Sequence, residues 1–201
     1  MDDEANVPEA NVPEADDQDW KDHRFDEYAL AVGWIAGLWS QIEAGLDEAI
    51  WELANVEIGP GACITSHIGS IGGRIRAFMS LIDYRGATTE QAKYWNGLFV
   101  KVEGLGRRRN RFVHDAITIG GESGILRRRQ VTADRKLVFD YLEADLAQMK
   151  DLQNELRSTS VTVHESYQKL ANELPPWRHT PREQRPANFL LRRLPQDIDP
   201  S

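Results

Sequence analysis

The sequence predicts an all-α fold: an antiparallel four-to-five-helix bundle with a small β-hairpin inserted between the third and fourth long helices. Three observations carry that expectation. Apolar residues recur at three- and four-residue steps through most of residues 20–174. Within residues 116–139 the pattern turns to short β-branched runs separated by glycines. The chain has 201 residues, 41% of them hydrophobic, which is enough for one core because both ends are poor in apolar positions.

The first helix is expected over residues 20–55. Leu30, Trp34, Leu38, Ile42, Leu46 and Ile50 recur every four residues, with Ile35 and Leu53 beside them. Gly59-Pro60-Gly61 then punctuates the chain. A second helix is expected over residues 62–83 from Ile64, Ile68, Ile71, Ile75, Met79 and Ile82. Gly69, Gly72 and Gly73 weaken it in isolation, and close helix–helix approach is their expected use. The third helix starts at Thr88, with Gln91 at capping-box spacing, and aligns Trp95, Phe99, Val102, Leu105, Arg109 and Phe112. Strand-like runs follow at 116–119, 125–126 and 136–139. The last helix is expected to start at Asp140, with Glu143 as its capping partner. It repeats Leu142, Met149, Leu156, Val163 and Leu170 at heptad steps and stops at Pro175. Residues 158–163 (Ser-Thr-Ser-Val-Thr-Val) are poor helix formers and are expected to bend it.

The flanks differ from this domain. Residues 1–19 read as a disordered acidic leader with a twice-repeated Glu-Ala-Asn-Val-Pro pentad, and residues 175–201 as a flexible tail rich in proline and arginine. A short apolar patch, Phe189, Leu190, Leu191 and Leu194, lies within the tail. Residues 1–27 hold eleven acids against two bases, a local charge of −9. The formal charge of −8 therefore belongs to the leader, and the remainder is nearly neutral, so acidity does not exclude a nucleic-acid partner. The opposite charge of leader and arginine patch makes autoinhibition a testable arrangement. A single cysteine, Cys63, excludes an internal disulfide. No signal peptide or apolar span long enough for a bilayer is evident, so the expected location is cytoplasmic with no membrane partner.

The candidate site is the run Arg107-Arg108-Arg109-Asn110-Arg111-Phe112-Val113-His114-Asp115. Arg107, Arg108 and Arg111, extended by Arg127, Arg128 and Arg129 on the next strand, form a phosphate-attracting patch, because a planar guanidinium matches phosphate oxygens and keeps its charge. Arg109 falls on the apolar stripe, where a cation needs a partner. Asn110 and His114 share a helix face, whereas Arg109 and His114 are roughly 140° apart around the axis. Only a long side chain or a loosened helix end would bring those two together in one chain. Glu43 and Asp47 are candidate salt-bridge partners for the patch, though periodicity leaves this open. The tryptophans Trp34, Trp39, Trp51 and Trp95 read as core or dimer surface, and His23, His164 and His179 as solvated. Cys63 and His67 stand four apart, but two ligands are too few for a metal site, and no cofactor is called for.

The motif Arg109-Asn110-x-x-x-His114, late in a helix of such a domain, resembles the HEPN (higher eukaryotes and prokaryotes nucleotide-binding) superfamily. The resemblance covers about residues 20–174. It implies metal-independent RNA cleavage by attack of the 2′-hydroxyl on the adjacent phosphodiester, with His114 moving the proton, Arg109 stabilising the phosphorane, and Asn110 orienting the histidine or a phosphate oxygen. It also implies a homodimer that brings two motifs together, RNA or nucleotide as ligand, and a cognate antitoxin or regulatory protein as partner. Arg107 or Arg108 can also fill the arginine position; Arg109 is preferred because Asn110 follows it and because it lies on the stripe. A tyrosine that often stands two residues after the histidine in toxin members is replaced here by Ala116, so neutralisation through that tyrosine is not expected. The other class of function open to such a domain is a non-catalytic helical module that binds nucleotide, RNA or a protein partner.

Overall fold

The computed structural model describes residues 16–120, 125–134, 136–143 and 145–177. It is mostly helical, with a small antiparallel sheet after the fourth helix. In chain order the elements are α1 (Asp16–Ala54), α2 (Ile58–Thr65), α3 (Ile71–Tyr84), α4 (Thr89–His114), β1 (Ala116–Gly120), β2 (Ile125–Asp134), β3 (Lys136–Glu143) and α5 (Leu146–Glu173).

Helix α1 is the element against which each of the other four helices packs. Its buried face is Tyr28, Ile35, Leu38, Trp39, Ile42, Leu46, Ala49, Ile50 and Leu53. Leu30 and Trp34 were expected on that face but are 64% and 54% exposed. A strict four-residue step overshoots a helical turn by about 40°. A stripe anchored at Leu46 has therefore rotated into solvent by the time it reaches Leu30. The helix begins at Asp16, inside the expected leader, and ends where Asn55 adopts a left-handed φ of 53°. Residues 1–15 of the leader lie outside the described residues.

The expected second helix is two helices. Gly59-Pro60-Gly61 lies inside α2 and does not precede a helix; proline is tolerated in a first turn, whose N–H groups have no intrahelical partner. Gly61 is required there, since a Cβ would stand 2.5 Å from the Trp51 ring. The break falls at residues 66–70, and α3 restarts behind Ser70, whose hydroxyl accepts from the Gly73 amide. Gly69 and Gly72 do not mediate helix–helix approach: nothing lies near Gly69, and Gly72 faces only side-chain ends. Gly73 is needed locally, because a Cβ there would meet Ile68 at 2.7 Å.

Helix α4 starts as expected, with the Thr88–Gln91 capping box closed in both directions. Its Trp95 and Phe99 stack with Phe78 of α3 at centroid distances of 4.6 and 5.2 Å, and Tyr167 of α5 joins them. After α4 the chain forms a three-stranded meander, β1-β2-β3, in place of a hairpin. Asp140 and Glu143, expected to start the last helix, sit in β3 opposite Gln130 and Arg127. The cap is Asp145, which accepts from the amides of Ala147 and Gln148. Met149, Leu156, Val163 and Leu170 are buried as the heptad pattern requires, while Leu142 is on β3. Residues 158–163 stay helical. Ser158 and Thr162 turn their hydroxyls onto carbonyls of their own helix, and Thr159 is wholly buried. The start of the tail is docked: Trp177 Nε1 donates to the Leu53 carbonyl at 2.8 Å, and Arg85 donates to the Pro175 carbonyl. Residues 178–201, including His179 and the patch Phe189, Leu190, Leu191 and Leu194, lie outside the described residues. Among the described residues no helix is long and apolar enough to cross a membrane.

Candidate functional site

The site is built where α4 ends. Leu105, Gly106 and Phe112 are buried, so the last two turns lie flat against the core. Gly106 lets α1 and α4 approach closely: a Cβ there would stand 2.8 Å from the Trp39 ring. The helix stops at His114, and Asp115 turns to extended backbone (ψ 133°) to start β1. Tyr28 of α1 fixes this terminus by donating its hydroxyl to the Phe112 carbonyl at 3.1 Å, a carbonyl in the last turn that has no intrahelical partner. Burial pushes the Tyr28 phenol above its ordinary value; nearby Arg128 opposes that and Asp115 adds to it.

Arg109, Asn110 and His114 meet within one chain. Arg109 Nη1 donates to Asn110 Oδ1 at 2.9 Å and contacts His114 Nε2 at 3.2 Å. The separation of five residues does not keep them apart, because the arginine side chain is long enough to run along the helix to its open end. A guanidinium has only donors, so a hydrogen bond between the two requires Nε2 as acceptor, with the ring proton on Nδ1. Asn110 and His114 are exposed and Arg109 is half-buried, with its Nε buried and without a hydrogen-bond partner.

The arginine patch divides by partner. Arg108 is bound to Glu155 of α5 at 2.6 Å. Arg128 was expected on the phosphate-binding surface but is only 8% exposed. Its guanidinium lies 4.8 Å from the centre of the Phe112 ring and 3.6 Å from Asp115. Strand alternation sends Arg127 and Arg129 to the opposite, exposed side. Glu43 and Asp47 do not pair with the patch. Asp47 holds Arg74 of α3 at 2.8 and 3.1 Å, and Glu43 lies 3.8 Å from the same arginine. Among the described residues Arg107, Arg109, Arg111, Arg127 and Arg129 have no carboxylate partner.

Beside the motif a cleft of about 410 Å³ opens between α1, α3 and α4, lined by Trp39, Glu43, Glu103, Arg107, Arg109 and Asn110. Sequence reasoning missed Tyr28 and Glu103. No periodic signal marks the tyrosine, whereas Glu103 stands four residues before Arg107, a spacing that draws notice on a helix. A larger cavity, about 670 Å³, lies at the start of α5 near Arg24, Arg128 and Glu143. It is poorly suited to an anion, because Asp145 already occupies the amides of that helix end. His67 lies beyond the end of α2, so it does not share a helix face with Cys63, and the described residues contain no group of three or more potential metal ligands. No family model matches the chain, and neither a curated protein nor a solved structure matches it significantly.

Proposed function

We propose that the chain is a metal-independent endoribonuclease of HEPN type, built on an antiparallel helical bundle and acting in the cytoplasm as a homodimeric toxin or phage-defence effector. The observation that supports this reading is the contact of Arg109 with both Asn110 and His114 at the open end of α4. It sets a cation without a carboxylate partner beside a solvent-accessible imidazole, the pairing needed to move a proton and to stabilise charge gathering on phosphorus.

In the proposed reaction a ribose 2′-hydroxyl loses its proton to the His114 imidazole, and its oxygen bonds to the adjacent phosphorus. Arg109 carries the negative charge of the phosphorane. The bond from phosphorus to the 5′-oxygen then breaks, and that oxygen takes up a proton, leaving a 2′,3′-cyclic phosphate and a 5′-hydroxyl. One neutral histidine can accept the first proton but has none ready for the leaving oxygen. That deficit, and not any distance between Arg109 and His114, is the reason for a second copy of the motif from a partner chain.

A binding module without catalysis is favoured by one specific contact: Arg109 occupies the His114 nitrogen that would take the proton. One experiment separates the two. Mixed RNA is incubated with the protein in EDTA, alongside His114→Ala and Arg109→Ala. Cleavage by the parent that both substitutions abolish supports the nuclease. Equal cleavage by all three, or RNA binding without cleavage by any, removes it.

A further inference from the structure

The cleft between α1, α3 and α4 has the wrong lining for a phosphate and a suitable one for a nucleobase. Glu43 and Glu103 both line it; Glu43 lies 3.8 Å from Arg74, whereas Glu103 has no cation partner among the described residues, and an unpaired carboxylate repels a dianion. Trp39 supplies an apolar wall, while Arg107, Arg109 and Asn110 supply donors. Glu103 and Arg107 are one turn apart in the favourable order for an internal ion pair, yet among the described residues neither makes a hydrogen bond or salt bridge. Glu103 instead reaches toward the first turn of α3. Its Oε1 lies 4.0 Å from where a Cβ on Gly72 would stand, an ordinary contact distance that places the carboxylate beside that turn. The cleft therefore presents one free acceptor pair and one free donor fork on the same helix, Cβ atoms about 5–6 Å apart.

We propose that this cleft holds a guanine base, with Glu103 accepting from its N1–H and N2 amino group and Arg107 donating to O6 and N7. Among the four RNA bases only guanine offers two adjacent N–H donors next to two adjacent acceptors. Adenine and cytosine each present a single amino donor, and uracil a lone N–H between two carbonyls. Arg109 and Asn110 border both this cleft and His114, so a guanine here is a neighbour of the phosphate that His114 would act on. The inference rests on RNA being the ligand of the motif and gives that ligand a base preference.

The test is calorimetric titration of the full chain with GMP, IMP, AMP, CMP and UMP at one fixed ionic strength, which keeps the phosphate contribution common to all. GMP is expected to bind about tenfold more tightly than each of the others, including IMP, which lacks only the N2 amino group. Glu103→Gln, at an exposed position, is expected to bring all five to within about twofold of one another. Equal binding of the five, no binding of any, or a guanine preference that survives Glu103→Gln would overturn the proposal. Guanine preference in a protein that cleaves no RNA would leave this pocket standing and remove the nuclease. Cleavage without base preference would do the reverse.

Discussion

Arg109 and Arg128 are both drawn into the protein at the same end of α4, and the two sides of that helix treat them differently. Toward the sheet, Arg128 is nine-tenths buried, lies over the Phe112 ring and faces the Asp115 carboxylate, so its charge is answered within the fold. Toward the cleft, Arg109 touches an amide oxygen and a neutral imidazole and meets no carboxylate. A guanidinium neutralised by a buried acid holds structure together, and removing it strands the acid. A guanidinium partnered only by neutral groups keeps its charge for something that arrives from solution. Only the second kind can serve a phosphate.

The sharpest break in that comparison is chemical. Arg109→Ala is expected to lower RNA cleavage by about 10³-fold, the range for losing one positioned donor to a developing anion, with an unchanged urea midpoint. A midpoint that falls while cleavage persists would make Arg109 a structural residue like its neighbour. Arg128→Ala is expected to do the opposite, lowering unfolding free energy by about 3 kcal/mol because Asp115, whose side chain is only 15% exposed, is left unpaired. Chemical denaturation of the double variant with Asp115→Asn sharpens this: removing both charges should restore part of the loss.

Two smaller effects probe the supports. Tyr28→Phe removes the hydrogen bond to the Phe112 carbonyl and is expected to cost about 1 kcal/mol. It should also change the alkaline limb of stability. The folded phenol holds its proton above the ordinary value of 10.0, so its contribution is complete below that pH and is lost as pH rises through the folded value. Urea midpoints at about pH 8 and about pH 11 should therefore differ less for Tyr28→Phe than for the parent. Arg108→Ala should change stability by less than about 0.5 kcal/mol, because its pair with Glu155 is exposed on both sides. A larger loss would show that this pair, too, anchors α4 to α5.

The motif itself was legible. Arg109, Asn110 and His114 stand at a spacing that sequence alone singles out, and all three converge. Their route to one another was not legible, because helical periodicity describes where Cβ atoms point and not how far an arginine reaches. The same limit applies to Arg128. Three consecutive arginines on a strand look alike in one dimension, and only pairing with β1 and β3 decides which of them turns inward over Phe112.

The sequence by itself determined the mainly helical character, the Thr88 start of α4, the buried heptad face of α5 and the change to strands after His114. Each of these depends on residues within a few turns of one another, so local periodicity and capping chemistry suffice. The tertiary structure alone decided that the Arg74 of α3 takes Asp47, that Tyr28 holds the end of α4, and that Asp115 and Arg128 neutralise each other while Arg109 does not meet an acid. Those outcomes depend on partners far apart in the chain, and a pattern with a period of 3.6 residues contains no record of which distant charge a side chain will meet.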